Sequence, residues 1–334
     1  MAHHDVVVIG ASSGGVEALS KVLGSLPGDL AAAVFVVLHV SPDAPSYLPA
    51  ILNRAGQIPA AHAVDQEPIR RGRVYVAPPG MQTYVHRGRL AVRRGPVENL
   101  HRPAIDPLFR TAAHHYGPRV IGIVLSGALD DGAAGMLAVK RAGGVAIVQD
   151  PSDAAFPSMP MRALERIDAD FCVPIEQVGA LVVELVASGV DDALPAEVAL
   201  ETVDEAPSPQ AARASEELGP PAGITCPDCS GALWEIHEGT SIRYRCRVGH
   251  AYSEEAIARA QEGSVDRAMW TALRAVEERV ALLEKLAEQA ERRGQSGVAA
   301  VFRERAAAVG EDAETIHNLI RAGRVADPVG HSSL

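Results

Sequence analysis

Aromatic residues are scarce in this 334-residue sequence: Phe, Trp and Tyr make up only 4% of it, although 47% of the residues are hydrophobic. A core must therefore be built mainly from Val, Leu, Ile and Ala. Long apolar runs are also missing, since the longest, residues 31–38, is far shorter than the ~20 residues that span a bilayer. The start of the chain lacks the basic and apolar regions of a secretory signal. We expect a soluble cytoplasmic protein of about two domains.

Positive charge and cysteine are limited as well. The net charge of −11 argues against a protein that coats nucleic acid or an anionic membrane. Of the four cysteines, Cys226, Cys229 and Cys246 cluster late in the chain, and Cys172 stands alone in an apolar run. We expect Cys172 to be a small buried residue. In a cytosolic chain the late cluster favours a metal site over disulfides.

Residues 5–187 alternate Val-rich runs with amphipathic stretches. Short apolar runs without internal alternation are typical of strands covered on both faces, as in a parallel sheet. The predicted strands are residues 6–9, 34–38, 73–77, 120–126, 145–149 and 170–173. The predicted helices are residues 15–25, 47–54, 106–116, 132–142 and 176–187, and residues 84–92 read as a hairpin. The pattern predicts an α/β fold with a doubly wound, largely parallel, Rossmann-like sheet over residues 1–187.

The second half of the chain has a different character. Residues 188–223 carry eight acidic residues against one Arg and no periodicity, which predicts a flexible acidic linker. A Cys/His segment follows at residues 224–252. Within residues 264–293 apolar residues recur at alternating steps of four and three, and they are Met269, Leu273, Val276, Val280, Leu283 and Ala287. Gly294 ends this stretch, and a second helix is marked by Val298, Phe302, Val309, Ala313, Ile316 and Ile320. Residues 253–324 therefore predict an antiparallel helical hairpin that could self-associate. Residues 325–334 are expected to be disordered.

The first predicted strand runs into the turn Gly10-Ala11-Ser12-Ser13-Gly14. This is a G-x-S-x-G pattern between a strand and a helix, the context of an exposed nucleophilic serine. The helix that follows directs its positive end toward the turn. No Lys follows the glycines, so the turn is not a P-loop. A nucleophile, a ligand-binding loop and a plain helix cap remain open, and either Ser12 or Ser13 could be the reacting residue.

A serine nucleophile needs a base and a carboxylate that orients it. His39 closes the second predicted strand, and Asp130 and Asp131 follow a third. Since active sites of open α/β sheets gather beyond the carboxyl ends of the strands, we expect these groups at one edge. A surface histidine and a helix-capping aspartate are the plain alternatives for residues of these types.

Six segments of the sequence, in the same order along the chain, resemble the catalytic domain of the CheB-type chemotaxis protein-glutamate methylesterases. They cover residues 4 to 187 and read "VVVIGASSGGVEAL", "VVLHVSP", "VYVAPPG", "HRPAIDPLFRTAA", "VLSGALDDGAAGM" and "QDPSDAAFPSMPMRAL". The resemblance implies a Ser-His-Asp triad with Ser12 as nucleophile, His39 as base and Asp131 as the orienting carboxylate. It thereby selects Ser12 over Ser13 and Asp131 over Asp130.

The resemblance also implies an activity. Members of the family hydrolyse glutamate γ-methyl esters on the helical signalling domains of chemoreceptors, release methanol, and can deamidate particular glutamines, with no cofactor in catalysis. Methylated chemoreceptor domains or a related signalling protein are therefore the expected partners. Typical members carry a phosphorylatable receiver domain before the catalytic domain. This chain starts at the first catalytic strand, so we expect no such control within it, and Ala128-Leu129 replaces the family's Met-Gly pair.

Two other hypotheses stay open. The esterase fold could serve as a non-catalytic scaffold that presents the C-terminal segments to a partner. A nucleotide-binding α/β domain is disfavoured by Ser12 in the turn and by the absence of a nearby acidic partner for a ribose. The loop that precedes residue 106 holds polar groups that could either guide an acidic receptor helix or simply be solvated, and they are Arg93, Arg94, Asn99, His101 and Arg102.

The late cysteines form the pattern C-x2-C-x16-C-x3-H with His250. Four such ligands close a tetrahedron around structural Zn²⁺, and so short a segment has little core without a metal. The sequence therefore predicts a zinc-ribbon-like segment with Cys226, Cys229, Cys246 and His250 as ligands, and His237 as a rival fourth ligand. Arg243, Arg245 and Arg247 could form a nucleic-acid-binding face, but the acidic surroundings favour a protein-interaction role.

Overall fold

The computed structural model describes residues 2–43, 45–190, 219–238 and 241–323. The chain divides into two compact units, residues 1–257 and residues 258–334. The first unit contains both the predicted α/β domain and the Cys/His segment. Most of the predicted linker, residues 188–223, and the predicted tail, residues 325–334, lie outside the described residues.

A parallel sheet forms the centre of the first unit. Among the described residues it has seven strands, and every neighbouring pair is parallel. In spatial order these strands are β10 (Phe171–Val173), β9 (Val145–Gln149), β8 (Val120–Val124), β2 (Val6–Ala11), β3 (Ala33–Leu38), β5 (Arg73–Val76) and β4 (Ala60–His62). The predicted doubly wound, largely parallel sheet is therefore confirmed.

Helices cover both faces of this sheet. Alternate residues of β2 point to opposite faces, and both sets are apolar: Val7 and Ile9 join one core cluster, whereas Val6 and Val8 join the other. The first cluster packs under α1 (Gly15–Gly24), α2 (Leu48–Ala55) and α6 (Ile175–Ala187). The second packs under α3 (Ile105–Tyr116), α4 (Ala133–Arg141) and α5 (Ser158–Arg166). This two-sided burial explains why the strands read as continuous apolar runs.

Small elements complete this part of the chain. Strands β6 (Gln82–His86) and β7 (Arg89–Arg93) form the predicted hairpin, and β1 (Ala2–His3) pairs with β11 (Gly189–Val190). Helix α5 and strand β4 have no counterpart in the predictions. Strand β4 has only three residues, too few to establish a period. The prediction that Cys172 is buried is wrong. It lies exposed on β10, an edge strand that neighbours cover on one side only.

A separate antiparallel sheet of four strands lies at the end of the first unit. Its strands are β12 (Pro221–Thr225), β13 (Ala232–Glu238), β14 (Ser241–Cys246) and β15 (Ala251–Ser253), in that order. We refer to residues 219–257 as the ribbon. Its core is small: Leu233, Cys246 and Tyr252 are among its few fully buried side chains. A sheet with so little apolar burial needs a further source of stability.

Two long helices form the C-terminal part. Helix α7 (Glu254–Arg292) begins in the first unit, and α8 (Ser296–Gly323) follows a turn at Gly294, where the backbone φ is 75°. The predicted stripe of α7 is confirmed, since Leu273 and Ala287 are buried and the other stripe residues are half-buried. On α8 the predicted Ile320 is buried, together with Ala299 and Ala306, whereas the predicted Val298 is 46% exposed. No helix within the described ranges is long and apolar enough to cross a membrane.

Candidate active site

The three predicted triad residues follow three adjacent strands. Ser12 follows β2, His39 follows β3, and Asp131 lies in the loop between β8 and α4. In the sheet β2 lies between β8 and β3, so the carboxyl ends of these strands meet. The chain leaves β2 toward β3 on one side and returns beside it as β8, which creates the crevice where open α/β sheets bind ligands.

The turn around Ser12 is held by backbone hydrogen bonds. The Ser12 N–H donates to the Ser126 carbonyl at 3.0 Å, and the Gly15 N–H donates to the Ser12 carbonyl at 2.9 Å. Gly14 has a φ of 72°, a left-handed conformation that glycine adopts without strain. Helix α1 then begins at Gly15, and its positive dipole end lies next to Ser12. The turn presents the hydroxyl beside a site that favours developing negative charge.

Ser126 fastens this turn to a second loop, a role that the sequence did not indicate. Its hydroxyl donates to the Ser13 carbonyl at 2.8 Å and accepts from the Phe156 N–H at 2.9 Å. At the next residue, Gly127, an added Cβ would lie 2.9 Å from the Ser12 Cβ. The loop after β8 can approach the serine this closely only because Gly127 has no side chain.

A chain of hydrogen bonds joins the three side chains. His39 Nδ1 lies 3.1 Å from Ser12 Oγ, and His39 Nε2 lies 2.7 Å from Asp131 Oδ2. The side chains of His39 and Asp131 are 4% and 1% exposed. For Nδ1 to accept a proton from Ser12, the ring hydrogen has to reside on Nε2, where the carboxylate accepts it. This arrangement suits a hydroxyl nucleophile with an oriented general base.

Asp131 is surrounded by donors. Besides His39, its carboxylate accepts from the Ile105 N–H at 2.7 Å, the Asn99 side chain at 2.9 Å and the Asp106 N–H at 3.3 Å. Burial works to raise the pKa of Asp131, but the hydrogen bond and charge of His39 outweigh it and the pKa is lowered. The carboxylate therefore stays ionised and holds the imidazole in one orientation.

Asp130, the neighbouring candidate, lies outside this chain of hydrogen bonds. Its carboxylate accepts from the Ser253 hydroxyl at 2.7 Å and lines a separate groove with Arg162 and Arg166. Burial raises the pKa of Asp130 to about 6. The two adjacent aspartates thus face different surroundings, and only Asp131 contacts His39.

The polar loop before α3, residues 93–102, contributes two groups to the site. His101 stacks on His39, with ring centroids 3.5 Å apart and an angle of 10° between the planes. Asn99 is buried and donates to both Asp131 and Asp106. The sequence predicted a loop here but left the role of His101 and Asn99 open, because their contacts with His39 and Asp131 depend on how that loop packs. Of the other three candidates, Arg102 donates to the Gly95 carbonyl at 3.0 Å, and Arg93 and Arg94 are exposed.

His101 should make stability depend on pH. Burial, with the charge of His39, lowers the pKa of His101 to about 4 from an ordinary value of 6.5. The unfolded chain therefore binds more protons than the folded one between these values, and the free energy of unfolding falls as the pH falls, by about 3 kcal/mol at most for this one group. We expect His101→Gln to lose less stability than the wild type between pH 7 and pH 4.5 in urea unfolding. Equal losses in both proteins would contradict this assignment.

An open cleft of about 430 Å³ lies beside the serine. Ser12 and His39 form part of its lining, and the polar loop supplies Leu100, His101 and Arg102. Leu100 is 36% exposed and has a φ of 70°, so the loop presents an apolar side chain to solvent in a left-handed conformation. The cleft gives a side chain of another protein access to the hydroxyl.

The predicted metal ligands converge in the ribbon. One ligand atom each of Cys226, Cys229, Cys246 and His250 lies within 4.8 Å of all the others. The Cys229 and Cys246 sulfurs are 3.7 Å apart, and His250 Nδ1 lies 3.5 Å from the Cys226 sulfur. Zn–S bonds of about 2.3 Å in a tetrahedron place sulfurs roughly 3.8 Å apart, so the donor set fits zinc. His237, the rival ligand, is exposed on β13 and lies 3.6 Å from Glu235.

The arginines near Cys246 do not form a common face. The Arg243 side chain is only 3% exposed, and its Nη1 lies 3.9 Å from a carboxylate oxygen of Glu98. Arg247 lies over the Trp234 ring at 5.8 Å. A buried Arg243 gives no support to the nucleic-acid hypothesis, which needs exposed cations along the strand.

Comparisons with known proteins concern the α/β part of the chain. A family model described as CheB methylesterase matches residues 7–182, more than half of the chain. The crystal structure of the Thermotoga maritima CheB methylesterase catalytic domain superposes with a TM-score of 0.52 at 29% identity, and the match covers 56% of this chain and 100% of that domain.

Sequence relatives give the same result. A protein of Leptospira interrogans (strain Fiocruz L1-130) is 34% identical over 184 residues, which cover 55% of this chain and 95% of the relative. The protein-glutamate methylesterase/protein-glutamine glutaminase 3 of Geobacter metallireducens is 34% identical over 184 residues, which are 54% of this chain and 52% of the relative. The protein-glutamate methylesterase/protein-glutamine glutaminase of Moorella thermoacetica is 35% identical over 188 residues, which are 54% of this chain and 44% of the relative. This chain thus spans about half the length of these two enzymes. From the matched family model, the superposed fold and these relatives it follows that the chain belongs to the CheB methylesterase family.

Proposed function

We propose that the protein hydrolyses γ-methyl esters of glutamate on helical chemoreceptor-type signalling domains, with Ser12 as nucleophile, His39 as general base and Asp131 as the carboxylate that orients His39. One observation carries this proposal: hydrogen bonds of 3.1 and 2.7 Å connect Ser12, His39 and Asp131 at the carboxyl edge of the sheet. Relatives named protein-glutamate methylesterase support the choice of substrate.

In the first half of the reaction Ser12 Oγ attacks the ester carbonyl carbon. His39 Nδ1 takes the hydroxyl proton, and the resulting imidazolium is stabilised by Asp131. The oxyanion forms beside the positive end of α1. Since the Gly15 N–H is already bonded to the Ser12 carbonyl, other donors must hold the oxyanion. When the C–O bond breaks, Nδ1 returns its proton to the departing oxygen and methanol leaves.

In the second half water attacks the glutamyl ester of Ser12. His39 Nδ1 accepts a proton from this water, and the tetrahedral intermediate then expels Ser12 Oγ, which takes that proton back. The product is a glutamate side chain, and the serine is regenerated. An amide in place of the ester would release ammonia by the same steps, which accounts for glutamine deamidation. None of these steps calls for a cofactor.

For the ribbon we propose a structural Zn²⁺ held by Cys226, Cys229, Cys246 and His250. The spacing of the donor atoms and the small apolar core both support it. Four protein ligands leave no open coordination position for a substrate, so the ion would stabilise the fold and take no part in hydrolysis. Cytoplasmic location and self-association through α7 and α8 stay predictions.

The test is methanol release from a chemoreceptor cytoplasmic domain with methylated glutamates. We expect one methanol per ester hydrolysed and none from the unmethylated domain, and ammonia from the same domain carrying glutamine at those positions. A fluorophosphonate that reacts with serine hydrolases should label one serine per chain. Labelling without methanol would assign the site to a different ester. The absence of both would favour the scaffold hypothesis.

A further inference from the structure

The ribbon makes backbone contact with the polar loop of the active site. The Ala251 N–H of β15 donates to the Val97 carbonyl at 3.3 Å, and the Asn99 N–H donates to the Ala251 carbonyl at 2.9 Å. Glu98 and Ala251 form a parallel β-bridge. Residues 97–99 therefore extend the ribbon sheet beyond β15, and this segment of the active site is held in place by the ribbon.

The Asn99 side chain spans the distance from the ribbon to the triad. Its Oδ1 accepts from the Ser253 N–H of β15 at 2.9 Å. Its Nδ2 donates to Asp131 Oδ1 and to Asp106 Oδ2, both at 2.9 Å. The residue is 4% exposed and has a φ of 47°, which asparagine tolerates better than most residues. Both amide hydrogens and the oxygen are thus in use.

The hydrogen bonds of Asn99 matter because the Asp131 carboxylate orients His39 only if the carboxylate is itself held in one orientation. Asp131 Oδ2 accepts hydrogen bonds from His39 and from the Ile105 N–H. Asp131 Oδ1 accepts one from the Asn99 side chain at 2.9 Å and a longer one from the Asp106 N–H at 3.3 Å. Asn99 therefore supplies the shorter hydrogen bond to the oxygen opposite His39. Without it the carboxylate can rotate, and the His39 ring loses its alignment with Ser12.

We propose that Asn99 is a positioning residue for Asp131, and that the metal-held ribbon keeps Asn99 in its working position. The ribbon then supports the active site directly, and is more than a separate segment joined to the catalytic domain by a linker. This inference rests on the proposed function only in taking Ser12, His39 and Asp131 as the reacting groups. It follows that a substitution of Asn99 acts on kcat through Asp131, whereas loss of the ribbon also alters the cleft, because Val97 lines the cleft and is bonded to Ala251.

Other contacts keep the ribbon attached when Asn99 is changed. Arg110 binds both carboxylate oxygens of Glu98, at 2.9 and 2.7 Å, and the buried Arg243 of β14 approaches the same carboxylate. At the rim, Arg162 of α5 bonds to Glu255 at 3.0 Å. The role of Asn99 can therefore be separated from docking. Arg162→Gln is the matched control, because it weakens the same interface without touching Asn99 or the catalytic cleft.

The test compares Asn99→Gly and Asn99→Asp with Arg162→Gln. Glycine accepts the left-handed backbone without strain, and aspartate keeps the acceptor for Ser253 but loses both donors. We expect kcat to fall roughly tenfold to a hundredfold in both Asn99 variants, as for a lost hydrogen bond to a charged group, with KM within about twofold. Arg162→Gln should match the wild type.

A second readout does not depend on turnover. The His39 Nε2 proton bonded to Asp131 should give a far-downfield proton NMR signal, which we expect to shift or broaden in both Asn99 variants and after Cys246→Ser, but not in Arg162→Gln. If the methylesterase assignment fails, this signal still tests the inference. In a double-mutant cycle, Cys246→Ser should cost much less kcat in the Asn99→Gly background than in the wild type. An unmoved signal, unchanged kcat or strictly additive losses would overturn the proposal.

Discussion

Replacing Ser12 with alanine is expected to lower methanol release by about 10⁴-fold to 10⁶-fold, because the substitution removes the only atom that forms the acyl-enzyme. The fold should be retained. Ser12 holds the turn through its backbone N–H and carbonyl, both of which alanine keeps, and its hydroxyl bonds only to His39 among the contacts of the described residues. The measurement is methanol release at saturating substrate, together with thermal unfolding of both proteins.

Ser13→Ala is the matched control for this result. Ser13 is the adjacent residue of the same turn, its side chain is exposed, and its carbonyl keeps the bond from Ser126 in the variant. We expect release within a few-fold of the wild type. Loss of activity in Ser13→Ala with activity retained in Ser12→Ala would transfer the nucleophile to the neighbouring serine. Release that persists in both single variants and in the double variant would exclude covalent catalysis at this turn.

The second large effect concerns the ribbon metal. The wild type should contain about one zinc ion per chain, and Cys246→Ser should contain almost none, since one of four ligands is lost from a buried position. Structural zinc binds with an apparent free energy on the order of 10 kcal/mol, and the ribbon has little apolar core to replace it. We therefore expect residues 219–257 to lose protection from hydrogen exchange and become open to proteolysis, while the parallel sheet stays folded.

Cys172→Ser provides the comparison, because Cys172 is exposed on β10 and takes no part in the ligand cluster. Its metal content and exchange protection should equal those of the wild type. Metal analysis of protein purified without added zinc or chelating resin measures whether the ribbon holds a zinc ion. A metal-free wild type with a protected ribbon would show that the four side chains stabilise this sheet without an ion.

Much of the fold followed from hydrophobic patterning. Apolar runs such as those around Val7 and Val34 are continuous because both sheet faces are covered, and this property is local to each strand. The boundaries of the main strands and helices agree with the predictions to within a few residues. Helix α5 and the three-residue strand β4 were missed, and the exposure of Cys172 depended on which strand lies at the edge of the sheet.

The sequence by itself determined which chemistry was present. A serine in a tight strand-helix turn, a histidine at a strand end and three cysteines with a histidine at zinc-ligand spacing are local patterns. The order β8-β2-β3, which brings the strand ends together, is a property of the folded sheet. Only the tertiary structure decided how these groups are supported. Asn99 and Ser253 are 154 residues apart in sequence, and no local pattern predicts their hydrogen bond. The ribbon and the triad meet because buried polar groups must find partners, and that requirement is satisfied only when the whole unit has folded.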